Sequence, residues 1–124
     1  MGLSLSPCHR RVRALELNGV IQQYRAHIDP GRVGLGFSAI VFVTLRESSP
    51  DSIAAFETAL LTVPQVVQAE RLFGDPDYML HVLTRDLSSF QQLYDEQLSA
   101  LPLVLRLRTT LVMKKLIQNR PVPI

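Results

Sequence analysis

Few residues of this chain are arranged to do chemistry. The densest group is Phe73-Gly74-Asp75-Pro76-Asp77-Tyr78-Met79, near the middle. It places two carboxylates, a glycine and a proline in one short acidic turn. Gly74 lets backbone come close to a bound group, and free N–H groups in a turn can hold a carboxylate. Asp77 can pair with an ammonium group. Thr109 and Thr110 add two hydroxyls that donate and accept. Together these suit a zwitterion such as an amino acid. Asp75 and Asp77 also fit a plainer role as turn initiators.

A second group is basic. Ser4, Ser6, His9, Arg10, Arg11 and Arg13 crowd one short segment near the N-terminus. Ser, His and Arg in the opening turns of a helix can meet phosphates and base edges. The same residues also suit an ordinary solvated helix face. The charge is concentrated there. Residues 1–32 hold five Arg against Glu16 and Asp29, while residues 33–124 hold eight Lys/Arg against nine Asp/Glu. The net charge of +2 therefore comes from a basic segment on a near-neutral body.

Other chemistries find no support in the pattern. His9, His27 and His81 lack metal-ligand spacing, and Cys8 has no second cysteine. No phosphate loop, nucleophile elbow or paired-carboxylate signature is present. No catalytic residue, metal or cofactor is expected. His81, on a strand beside Met79 and Leu83, reads as an interface or hydrogen-bonded histidine.

The chain has 124 residues, 47% of them hydrophobic, which is enough for one packed core. The longest nearly unbroken apolar run is the nine residues Phe37 to Leu45. A membrane helix needs about 20. A single cysteine and the lack of a signal-peptide core lead to a cytoplasmic expectation.

The elements that position these groups follow from capping and periodicity. Ser6 as N-cap and Pro7 at the first helical position start a helix that ends at Asn18-Gly19. Its apolar stripe is Cys8, Val12 and Leu15. Val20 to Ile28 reads as a strand, and residues 29–36 as an irregular hinge. Phe37 to Leu45 is a strand with two apolar faces: Phe37, Ala39, Val41, Val43 and Leu45 on one, and Ser38, Ile40, Phe42 and Thr44 on the other. Helices cover only one face of such a sheet, so the second face implies packing on another subunit. Ser49-Pro50-Asp51 opens a helix with an inward stripe of Ile53, Phe56, Leu60 and Leu61. Strands follow at 66–73 and 78–84. Asp86 caps a helix with Phe90, Leu93, Tyr94, Gln97, Leu98 and Leu101 inward. The last strand spans 104–117, with Arg106, Arg108 and Thr110 on one face and Leu107 and Thr109 on the other.

The order is β-α-β-β-α-β, an α+β ferredoxin-like plan with the acidic turn at its centre. It predicts a dimeric α+β barrel or sandwich preceded by a recognition-like helix and a linker strand. The divisions are a partial helix-turn-helix at 1–19, a linker at 20–36, a ligand-binding and oligomerisation domain at 37–117 and a tail at 118–124.

Gly2-Leu3-Ser4-Leu5-Ser6-Pro7-Cys8-His9-Arg10-Arg11-Val12-Arg13-Ala14-Leu15-Glu16, followed by Asn18-Gly19-Val20-Ile21-Gln22-Gln23-Tyr24-Arg25-Ala26, resembles the Lrp/AsnC family of prokaryotic transcription regulators. In that family the segment is the turn and recognition helix of a helix-turn-helix and the strand leading out of it. Met1 stands where the family continues an upstream helix, so the helix-turn-helix is expected to be incomplete. The resemblance implies homodimers that assemble further, to tetramers or octamers. It also implies an amino acid or similar effector bound near the central loop, at contacts between dimers. Gly74, Asp75, Asp77 and Thr110 match the family's positions, with Thr109 beside them. Pro76 departs from the aromatic residue common in that loop and removes an N–H donor.

The expected function is amino-acid-responsive transcription regulation, with sequence-specific DNA binding in the complete protein. The alternative is a stand-alone effector-sensing and assembly domain that does not bind DNA. A cofactor-free enzyme on a similar dimeric sheet would need a buried pocket lined by His81 and a carboxylate.

Overall fold

The structure, a computed structural model, describes residues 29–123. The expected N-terminal helix and the strand at 20–28 lie outside the described residues. Within them, β1 is Phe37–Leu45, α1 Pro50–Leu60, β2 Val66–Arg71, β3 Tyr78–Thr84, α2 Leu87–Leu93 and β4 Val104–Leu111. The strands form one antiparallel sheet in the order β2-β3-β1-β4. β1 and β2 therefore run parallel with β3 between them, and β3 and β4 run parallel with β1 between them. This is the split βαβ arrangement of a ferredoxin-like fold.

Local chemistry sets the helix starts. Ser49 accepts the N–H of Ser52 at 3.2 Å, with Pro50 at the first helical position. Asp86 accepts the N–H of Ser89 at 2.8 Å, and that bond holds its carboxyl below the usual range. Both caps satisfy N–H groups that the first helical turn leaves without partners.

Both helices lie on one face of the sheet. Ala39, Val41, Val43 and Leu45 of β1 and Tyr78, Leu80 and Val82 of β3 are buried there, against Phe56 and Leu60 of α1 and Phe90 and Leu93 of α2. The other face keeps Ser38, Ile40, Phe42 and Thr44 of β1 and Met79, His81 and Leu83 of β3 half-buried. The two-faced character of β1 is thus real, and the helices among the described residues cover one side only.

Several boundaries differ from the sequence expectation. β4 ends at Leu111, six residues before 117. Its partner β1 begins at Phe37. Leu111 already pairs with Ala39, and the N–H of Val112 reaches the carbonyl of Ser38 at 3.0 Å, so little ladder remains beyond. Leu61 is not part of the inward stripe. It lies just past the last residue of α1 and is 86% exposed. Gln97 is exposed as well, because Tyr94–Leu98 forms a π-turn closed by Ser99 N–H to the Tyr94 carbonyl at 2.9 Å. The wider turn advances the phase by one residue, so Leu93 and Leu98 both face the core. Residues 30–33 of the expected hinge form a short 3-10 turn capped by Asp29 and closed by Gly34 at φ 82°. β2 stops at Arg71 rather than 73, leaving Phe73 fully exposed.

Leu80 lies at the centre of the core with no exposed surface. Leu80→Ala should cost about 3 kcal/mol of folding stability, through lost transfer energy and a residual cavity. Urea denaturation should show a lower midpoint with an unchanged slope.

Candidate functional site

The central turn joins β2 to β3 at the end of the sheet where β1 also ends. Asp77 builds this corner with three bonds. Its N–H donates to the Val43 carbonyl at 2.9 Å, and its carbonyl accepts the N–H of Leu72 at 2.8 Å. Its Oδ2 accepts the N–H of Leu45 at 2.7 Å. Gly74 has φ 134°, a conformation that side chains strain, although a Cβ there would meet no neighbour within 4 Å. Its role at this position is conformational freedom, not a steric need for space. The Asp75–Pro76 peptide is cis.

The next residue, Tyr78, anchors the same corner to α1. Its hydroxyl donates to Glu57 Oε2 at 2.5 Å, and the same oxygen accepts Arg71 Nε at 2.8 Å and a second Arg71 nitrogen at 2.7 Å. Burial and the neighbouring carboxylate push the Tyr78 hydroxyl up to about 12. The Tyr78 hydrogen bond, helped by Arg71, lowers the Glu57 carboxyl. The turn is thus held to β1 on one side and to α1 on the other.

A small pocket of about 120 Å³ opens beside the turn on the sheet face that carries no helix among the described residues. It is lined by Asp75 and Pro76 of the turn, Phe42 and Thr44 of β1, and Arg106 and Arg108 of β4. Antiparallel pairing brings them together: Arg106 lies opposite Thr44 and Arg108 opposite Phe42. The Arg108 guanidinium sits 4.9 Å from the centre of the Phe42 ring, a cation–π distance.

The candidate residues therefore divide. Gly74, Asp75 and Asp77 share the turn, but one Asp77 oxygen is committed to the Leu45 N–H. Thr110 shares the open face, opposite Ile40. It lies four residues along β4 from Arg106, about 13 Å at the usual strand rise. Thr109 faces the helix side opposite Val41, and its Oγ1 is buried without a hydrogen-bond partner among the described residues. One subunit does not bring the two hydroxyls to the turn. Arg106 and Arg108 were visible only as alternate residues on one strand face. What gathers them at the turn is the pairing of β4 with β1, which joins residues more than sixty positions apart in sequence. The six basic-segment residues, Ser4, Ser6, His9, Arg10, Arg11 and Arg13, lie outside the described residues.

His81 is on the open face, opposite Ile40 of β1 and Gln68 of β2. The pocket it lines contains no carboxylate, unlike the arrangement a cofactor-free enzyme would need. No helix among the described residues is long and apolar enough to cross a membrane, and no cluster of three or more His, Cys, Asp or Glu among them is placed to hold a metal.

The family model of the Lrp/AsnC ligand binding domain matches residues 38–122, nearly all of this sheet and its helices. The chain belongs to the Lrp/AsnC family. A second model, winged helix-turn-helix DNA-binding, matches residues 1–22. The Bkd operon transcriptional regulator of Pseudomonas aeruginosa is 35% identical over 124 residues, 100% of this chain and 81% of that protein. The leucine-responsive regulatory protein of Escherichia coli K12 is 35% identical over 119 residues, 96% of this chain and 73% of that protein. The transcriptional regulator NMB0573 of Neisseria meningitidis, solved as a complex with L-Met, superposes with a TM-score of 0.85 at 29% identity, covering 95% of this chain and 76% of its own. This Lrp/AsnC chain is thus a transcription regulator by relationship, and its relatives are regulators, not enzymes.

Two outcomes follow from the anchoring of the turn. Asp77→Ala leaves the Leu45 N–H without its acceptor and should cost about 2 kcal/mol, measured by urea denaturation. Tyr78 has its folded pKa raised above the unfolded value of 10.0. Its contribution is therefore complete below about pH 10 and is lost as pH rises toward about 12. Tyr78→Phe should remove that part of the alkaline loss of stability.

Proposed function

We propose that this chain senses an amino acid at the central turn and passes the signal through its own assembly to DNA-binding units. The observation that carries this reading is the uncovered sheet face with the turn pocket at its end. Ile40, Phe42, Met79 and Leu83 form an apolar centre there, half-buried within one chain. Glu70 lies at the β2 edge of this face, opposite Met79, and Arg106 and Arg108 lie at the β4 edge. Opposite charges at opposite edges of an apolar face favour a second copy across a two-fold axis. Further assembly to tetramers or octamers, with Gly74, Asp75, Asp77, Thr109 and Thr110 near the effector, extends this reading.

The mechanism is linkage. An effector bound more tightly by one assembly shifts the population toward it, and the assembly sets the spacing of the DNA-binding units. The basic segment Ser4, Ser6, His9, Arg10, Arg11 and Arg13 supplies the phosphate and base contacts, supported by the helix-turn-helix match over residues 1–22. The relative solved with L-Met supports an amino acid as effector.

Sedimentation velocity tests the assembly directly. The chain should run as a dimer or larger, and Ile40→Glu should shift it toward monomer by placing a charge on the apolar face. Adding single amino acids, L-methionine among them, should change the distribution or the salt-dependent DNA affinity. A wild-type chain that stays monomeric, or whose assembly and DNA binding ignore every amino acid, overturns the proposal.

A further inference from the structure

We propose that His81 makes the self-association of this chain sensitive to pH: two copies associate with the imidazoles neutral, and protonation of His81 drives them apart. This rests on the reading of the uncovered sheet face as the contact with a second copy. His81 is the middle residue of β3, Tyr78–Thr84, and β3 is one of the two inner strands of the sheet. It stands half-buried, flanked on its face by Met79 and Leu83 of its own strand and opposite Ile40 of β1. A second copy laid on this face covers the imidazole together with those apolar side chains.

The surroundings give a proton on His81 little support. The side chain makes no hydrogen bond or ion pair among the described residues. From β1 its neighbours on the face are Ser38, Ile40 and Phe42, none of them charged. β4, beyond β1, sets Thr110 opposite Ile40 and Arg108 opposite Phe42. From β2, Gln68 lies opposite His81 and Glu70 lies two residues on. Glu70 favours a proton on the ring, but its Oε1 already accepts the Gln68 amide at 2.7 Å. Past the end of β4, Lys115 lines the same hollow as His81 and, like Arg108, opposes a second positive charge. Imidazole takes up its proton near neutral pH, where no other unperturbed side chain changes charge. Covering an unpaired cation carries a desolvation cost that covering a neutral ring avoids. A two-fold axis through the middle of the face also brings the two His81 rings toward one another. Neutral rings can pair, one donating its N–H and the other accepting, whereas two imidazolium rings have only donors and repel. The separated chain therefore binds the proton more tightly than the associated one, and acid shifts the population toward separated chains.

Sedimentation velocity of the whole chain over a dilution series tests the switch, at constant ionic strength and about one pH unit above and below the free-imidazole value of roughly 6.5. Self-association should weaken at least about tenfold on the acid side, because each of the two imidazoles contributes to the loss. His81→Gln, which carries no charge at either pH, should remove that difference whatever its own affinity. Where the lowest concentration still shows no dissociation, the rate of exchange between two differently labelled pools of the chain gives the same comparison. If wild-type association is equal on both sides, or tighter in acid, the switch is overturned while the assembly reading stands. If wild type and His81→Gln weaken equally in acid, the effect belongs to other groups and the switch is again overturned. A wild-type chain that is monomeric at both pH values removes the assembly reading and the switch with it.

Discussion

A four-stranded sheet with two apolar faces needs two covers, and the two helices among the described residues that pack on it supply one. β1 is the strand on which that constraint is most visible. Ala39, Val41 and Val43 have no exposed surface, while Ile40 and Phe42 between them remain half-buried. Burying apolar area is worth roughly 25 cal/mol per Å², so a face with Ile40, Phe42, Met79 and Leu83 favours association strongly. The same strand carries the hydrogen bonds that place the turn, through Val43 and Leu45. Core, open face and central turn therefore share one element.

That sharing ties the turn mechanically to the open face. The turn is held by Asp77 to β1 and by Tyr78 to α1, so it cannot shift without disturbing bonds to the sheet or the helix. The pocket beside it belongs to the open face, where Phe42 contributes to both the pocket and the apolar centre. A group bound there would touch the surface that the proposed second copy covers. Binding and association become coupled when both depend on the same side chains.

Charge is distributed to the same end. Arg106 and Arg108 stand on the last strand, Glu70 on the opposite edge strand, and the turn contributes Asp75. Charged residues on β2 also blunt the pairing potential of an exposed edge. Gln68 and Glu70, joined side chain to side chain at 2.7 Å, lie along that edge.

Much of the fold could be read from the sequence because its signals are local. Ser49-Pro50 and Asp86 announce helix starts through bonds to residues three positions away, and alternation along 37–45 reveals a strand with two apolar faces. Membership of the Lrp/AsnC family was carried by the residue order from Gly2 to Ala26, and the domain match at 38–122 agrees with the β-α-β-β-α-β order. The π-turn at Tyr94–Leu98 was not legible, because its one-residue advance of phase has no local sequence signal. The end of β4 was not legible either, because a strand lasts only as long as its partner, and β1 lies more than sixty residues earlier. The turn itself was recognised from Gly74, Asp75 and Asp77. Only the tertiary structure decided that Asp77 accepts the Leu45 N–H, that neither Thr109 nor Thr110 reaches the turn within one subunit, and that Arg106 and Arg108 line the pocket beside it. Those roles come from strand register, a relation between distant segments that no local spacing encodes.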